Sequence, residues 1–268
     1  MTERASTVMG TNTASVPDIR RLPGEDDFSD EVKEVLALLR SEQPVQAEDD
    51  PNGWFHQIRD HLMCTPADRM ERWAGFVDRS LRYKNQLEGR PHVKVDPVRV
   101  FRTLTDAGVV FAVVGMVAGY LQGAPYPTSN IDLAPRLDPR NTARLEVALA
   151  TLDAEPLEWD GWEPVYGGLP GFHQLLTSAG MVNVVDEPWG VGGYDDVMAD
   201  AGMLEVAVGL TVAVASLESV ILSKKAMVGM PGRSRRRREA DGLHVLMGEE
   251  TLALAKKYGA KWNLSTPS

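Results

Sequence analysis

The sequence predicts a mixed α/β (α+β) protein whose sheet is flanked by helices, and three observations carry that prediction. Residues 109–114 form an unbroken, largely β-branched apolar run, the pattern of a buried strand. Residues 171–177, GFHQLLT, alternate between apolar and polar as a half-covered strand does. Between such runs lie segments with helical start signals. The clearest is 216–227, with Ser216 as N-cap and Glu218 in the first turn, where the helix dipole favours an acid. Interleaved strands and helices give an α/β or α+β domain.

The elements follow in order. Residues 1–24 are rich in Ser, Thr, Asn and Pro, lack a period, and are expected to be a disordered tail. A helix is expected over 29–40, capped by Ser29, with Val32, Val35, Leu36 and Leu39 on one face. An acidic, proline-containing loop covers 41–52. A helical block runs over 54–87. Within it Thr65-Pro66-Ala67-Asp68 is a start signal, with Thr as cap and Pro at the first helical position. Met70, Trp73, Phe76, Val77 and Leu81 then form an apolar stripe, read as the face that docks this part on the next. Gly89-Arg90-Pro91 breaks the pattern. The expected organisation is therefore a tail over 1–24, a helical segment over 25–90 and a domain over 91–268.

In that domain 97–107 reads as a helix, 109–114 as a strand, 115–122 as a short helix and 131–134 as a strand. A helix over 141–152 follows Asp138-Pro139. Strands are expected over 156–166, 172–177 and 181–185, a helix over 194–200, and strands over 204–208 and 211–214 around Gly209. Helices over 216–227, 235–247 and 251–258 close the chain. No internal repeat is evident.

Composition bounds the function. The chain of 268 residues is 43% hydrophobic and 25% charged, ordinary for a globular protein. Its net charge of −10 argues against general coating of nucleic acid but leaves room for a local basic site. The single cysteine, Cys64, excludes an internal disulfide and suits a reducing cytoplasm, the expected location. The N-terminal stretch has no apolar core of a secretory signal. The longest apolar run, 107–121, is broken by glycines and too short for a bilayer, so no membrane partner is expected.

The stretch VVGMVAGYLQGAPYPTSNIDL, 113–133, carries the most chemistry. A strand stops at Gly115, a short helix and turn follow, and a second strand bears Asn130 and Asp132 on one face. Nucleotidyl transfer needs a divalent cation held by converging carboxylates, and a glycine at a helix N-terminus lets phosphate approach. Strand–Gly–helix–turn–strand can supply both. Alone, NIDL would read as a turn asparagine and a sheet-edge acid.

The order of these parts resembles the minimal nucleotidyltransferase fold, most of all the AbiEii toxins of type IV toxin–antitoxin systems and the related MenT toxins. Val182-Asn183-Val184-Val185 is similar to a later strand of that family. Gly209, Val212, Val214, Ser216, Glu218, Ile221 and Lys224 follow its most specific segment. The resemblance spans about 96–247. It implies Asp132, Asn130 and Asn183 as metal-site and catalytic positions, Lys224 as a further catalytic position, and Mg2+ and a nucleoside triphosphate as cofactor and substrate. Gly115, Met116, Lys225, Arg233, Arg235 and Arg236 fall where nucleotide would be held, since arginines suit phosphate. The run 232–238, GRSRRRR, reads equally as a solvated helix start, or as a loop pairing with the chain's own acids. His244 is expected on a helix surface.

Three departures stand out. Asn130 and Asn183 replace family carboxylates, and Met116 replaces a small residue; Asp186 is a substitute acid of the wrong strand parity. Two function classes follow from the resemblance. One is an enzyme moving a nucleoside monophosphate to an RNA (tRNA) or protein hydroxyl, related to toxin–antitoxin systems or phage defence. The other is a catalytically impaired module that binds nucleotide or a cognate toxin or antitoxin partner, with the N-terminal helices as its arm. A small-molecule (antibiotic) nucleotidyltransferase shares the fold, but the acidic pocket it needs for an aminoglycoside is not recognisable.

Overall fold

The computed structural model describes residues 22, 24–30, 32–33, 54–89, 92–126, 128–157 and 171–258. The expected helix over 29–40 and strand over 156–166 lie largely outside them. After a 3-10 turn at Glu25–Asp27 come α1 (Trp54–Leu62) and α2 (Pro66–Glu88), followed by α3 (Pro97–Asp106), β1 (Phe111–Val114), α4 (Gly115–Leu121), β2 (Asn130–Pro135) and α5 (Pro139–Thr151). Next come β3 (Glu155–Pro156), β4 (Phe172–Thr177), β5 (Gly180–Val185), α6 (Tyr194–Met198), β6 (Gly202–Ala207) and β7 (Leu210–Val214). The helices α7 (Leu217–Val228) and α8 (Arg235–Tyr258) complete the described chain.

The strands form one mixed sheet in the order β3-β4-β5-β2-β1-β7-β6. β1 runs antiparallel to β2 and parallel to β7, while β2 runs parallel to β5. Side-chain alternation divides the sheet. Ile131, Leu133, Val182, Val184 and Leu175 are buried on one face. The other face carries Asn130, Asp132, Asn183 and Gln174.

The helix starts follow local chemistry. Thr65 and Asp68 form a reciprocal capping box with Pro66 in the first turn of α2, and Gly89 ends that helix in the left-handed region, at φ 64°. Asp96, Asp138 and Ser216 cap α3, α5 and α7 by accepting from the Arg99, Asn141 and Ser219 N–H groups. Met70, Trp73 and Val77 of α2 join the same core as the sheet. Phe76 departs from the expected stripe and is 56% exposed. The reason is helical angle: at about 100° per residue Met70, Val77 and Leu81 lie about 40–80° to one side of Trp73, and Phe76 lies about 60° to the other, toward solvent.

The C-terminal half-pair of helices expected over 235–247 and 251–258 is instead the single helix α8. Gly248 does not break it, because that glycine answers a packing need: a Cβ there would overlap the Tyr126 hydroxyl and the Ile221 side chain. Leu22 and Phe28 are buried, and both lie against Gly242 of α8, where a Cβ would crowd them. Among the described residues no helix is long and apolar enough to cross a membrane.

Candidate functional site

One row of side chains crosses four adjacent strands. Val114 pairs with Asp132, Asp132 with Asn183, and Asn183 with Gln174. Partners in register point to the same face, so the row is fixed by strand order alone. Asn130 stands two residues before Asp132 on that face. The structure brings the three expected positions together: Asn130 Nδ2 donates to Asp132 Oδ1 at 2.7 Å, and Asn183 Nδ2 donates to the same oxygen at 2.6 Å.

Gly115 explains how the acid fits. It begins α4 with φ 64°, a conformation that favours glycine, and a Cβ there would overlap Asp132 Oδ2. The strand therefore turns into the helix directly over the carboxylate. Burial pushes the Asp132 carboxyl above the ordinary carboxylate range. The bond from Asn183, the attraction of Lys224 and the bond from Asn130 oppose that rise without cancelling it.

Magnesium takes oxygen ligands in near-octahedral order, usually with carboxylates among them. This row offers one carboxylate. Both amides turn nitrogen, not oxygen, toward it. The Asn130 Oδ1 accepts from the Thr128 hydroxyl at 3.3 Å, and the Asn183 Oδ1 is buried with no hydrogen-bond partner. Among the described residues no three His, Cys, Asp or Glu side chains gather as a metal set. The residues present do not fit a magnesium ion.

The expected phosphate ligands are dispersed among the chain's own acids. Lys224 Nζ donates to Asp241 Oδ1 at 3.1 Å, and Arg233 Nε donates to Asp241 Oδ2. Asp241 is buried, so it clamps both cations in a low-dielectric setting. Lys225 pairs with Glu249 at 2.6 Å and Arg235 with Glu239 at 2.9 Å, while Arg236 is exposed. Met116 is half-buried and packs on the core. Asp186 lies just past the end of β5 and acts electrostatically on His173, on the opposite sheet face from Asp132.

His244 is half-buried rather than fully on the helix surface. Its ring packs edge-to-face on Tyr126 with centroids 5.5 Å apart, and burial lowers its imidazole to about 4. A concave surface of about 420 Å³ lies at the α7–α8 loop, lined by Gly229, Arg233 and Arg238 among others. Asn130, Asp132 and Asn183 are not part of its lining.

Two participants escaped the sequence reading. Asp241, three residues before His244, carries no motif signal. Thr128 bonds to Asn130 and is itself held by α2, since Trp73 Nε1 donates to the Thr128 carbonyl at 3.0 Å.

No protein-family model matches the chain, and no curated protein does. Among solved structures, the solution structure of the antibiotic-resistance factor ANT(2'')-Ia, which reveals substrate-regulated conformation dynamics, is similar at 14% identity and a TM-score of 0.37. The match covers 62% of this chain and 92% of that one. The crystal structure of ANT(2'')-Ia in complex with adenylyl-2''-tobramycin is similar at 14% identity and a TM-score of 0.36, covering 61% and 95%. Overlap this slight leaves function to be argued from the site.

Proposed function

We propose that this chain is a nucleotidyltransferase-like protein whose metal chemistry is lost, acting as a binding or regulatory module related to the AbiEii and MenT toxins. The observation that carries the reading is the double donation to Asp132. In a working metal site the neighbours of that acid would turn oxygen toward a shared cation. Here Asn130 and Asn183 turn N–H groups toward the acid and occupy one of its oxygens. The pairing of Lys224 and Arg233 with Asp241 supports the same conclusion, because cations held by a buried carboxylate are not available to phosphate without breaking that clamp.

The parts that remain support descent from the active fold. Gly115 still lies against Asp132 at a strand-to-helix turn, and α7 still follows a strand parallel to β1. In this role the chain binds a nucleotide or a cognate toxin or antitoxin protein, rather than moving a nucleoside monophosphate to tRNA or to a protein hydroxyl.

Incubation with each labelled nucleoside triphosphate, with tRNA and with magnesium, tests the reading. It expects no transferred label. Transfer that requires magnesium and is lost in Asp132→Ala would restore the enzyme reading.

A further inference from the structure

The Glu25–Asp27 turn, which precedes α1, carries a shape of its own. The Leu22 N–H donates to Glu25 Oε2 at 3.0 Å, the Glu25 N–H donates back to the Leu22 carbonyl at 3.2 Å, and the Phe28 N–H donates to the Glu25 carbonyl at 3.0 Å. Gly24 takes the left-handed backbone, φ 71°, at the corner. Each bond closes within three residues, so the turn is dictated locally. It sets Leu22 and Phe28, both buried, on one side and leaves Asp26 and Asp27 exposed on the other.

The surface beneath the turn is α8. Leu22 and Phe28 meet over Gly242, where a Cβ would stand 2.9 Å from Leu22 Cδ1 and 3.2 Å from Phe28 Cε2. Polar contacts fix the register along the helix. Glu239 accepts from the Ser29 N–H at 2.8 Å, and that bond is the first cause holding its carboxyl below the ordinary range. Arg238 Nη1 lies 3.6 Å from Asp27 Oδ2. A glycine floor, an acceptor for a main-chain N–H and a cationic rim thus receive two apolar side chains and an acidic turn. Burial of two side chains is set against the ordering of the segment that carries them, two contributions of similar size, so the seat is held close to balance.

We propose that the α8 face around Gly242 is a peptide-docking groove, filled here in cis by the Glu25–Asp27 turn and its two anchors, and that a partner protein docks by displacing that turn. The seated segment is the template for the partner's: two apolar side chains spaced as Leu22 and Phe28 are, acids between them, and a main-chain N–H after the second for Glu239. A tethered occupant competes at an effective concentration of about millimolar. The groove therefore stays closed to weak peptides and opens to a partner that binds it more tightly or adds contacts elsewhere. This rests on the reading of the chain as a binding module and names the chemistry of the protein partner; the Asp132 row plays no part in it.

The probe is a fluorescent peptide with the sequence of residues 21–33, titrated with the full chain and followed by anisotropy. Leu22→Asp with Phe28→Asp in the full chain empties the groove. The peptide is expected to bind that variant and to bind the unaltered chain about tenfold or more weakly, because the cis segment competes. Adding Gly242→Val to the emptied variant should abolish binding, as should Leu22→Asp with Phe28→Asp in the peptide. Should the emptied variant fail to fold, the unaltered chain decides. Isotope-labelled and given millimolar unlabelled peptide, it should show the Leu22 methyl and Phe28 ring resonances leaving their buried positions. No binding to the folded emptied variant, equal binding to both chains, binding that survives Gly242→Val, or unmoved Leu22 and Phe28 resonances would overturn the proposal. A one-to-one complex between the emptied and unaltered chains would make the occupant a second copy and overturn the assignment to another protein. Nucleotidyl transfer by the unaltered chain would sink the proposed function yet leave the peptide result standing, and failure of the peptide would leave the reading of the Asp132 row untouched.

Discussion

Asp132 and Gly115 share one space: the carboxylate of β2 occupies the volume that any Cβ at the start of α4 would need. Gly115→Ala therefore carries two penalties, the overlap and a left-handed backbone at φ 64°. The backbone alone costs about 1–2 kcal/mol. Urea unfolding should show at least that loss, together with a displaced Asp132 carboxyl signal.

The half-buried Asp132 carboxyl makes a pH prediction. Its pKa is raised in the folded state, so folding favours the protonated form. The penalty is absent below the ordinary carboxylate pKa, grows as pH rises through the window between the unfolded and folded values, and is complete above the folded value. Asp132→Asn removes the titration. Its stability relative to the unaltered chain should climb with pH across that window and level off beyond it, as followed by denaturant midpoints at several pH values.

Asp241 should be among the most sensitive positions outside the row. Asp241→Ala leaves Lys224 and Arg233 without the acid that neutralises both. Breaking a buried pair in this way costs about 3–5 kcal/mol. If the variant folds, sulfate or pyrophosphate should raise its melting temperature more than that of the unaltered chain, because two cations have become available to an anion.

Adding acids beside Asp132 should create a cation's effect. Asn130→Asp with Asn183→Asp places three carboxylates on adjacent positions. Without metal, like charges repel and the melting temperature should fall. Millimolar magnesium should then recover it, whereas the unaltered chain should show no magnesium response.

Much of this architecture is legible in local sequence. Caps at Thr65, Asp96, Asp138 and Ser216 act within a turn of themselves, so the helices they start can be read directly. Strand parity also suffices to place Asn130 and Asp132 on one face. Their meeting with Asn183 depends on β2 pairing with β5 in register, a contact across 51 positions that rests here on family likeness. Other features have no local signal. Gly248 reads as a helix break until Tyr126 is seen to need its space. The run 232–238 leaves phosphate binding and pairing with the chain's own acids equally open in the sequence, and the structure places Asp241 beside Arg233 and Glu239 beside Arg235. The contact of Trp73 Nε1 with the Thr128 carbonyl, beside the row, is likewise hidden, since the stripe on α2 marks Trp73 only as apolar.

The central claim is that the Asp132 row does not hold a catalytic magnesium. Calorimetric titration of the unaltered chain with a non-hydrolysable nucleoside triphosphate, in the presence and absence of magnesium, tests it most directly. The account predicts either no binding or binding of equal affinity under both conditions. Tight binding that requires magnesium and is lost in Asp132→Ala would contradict it.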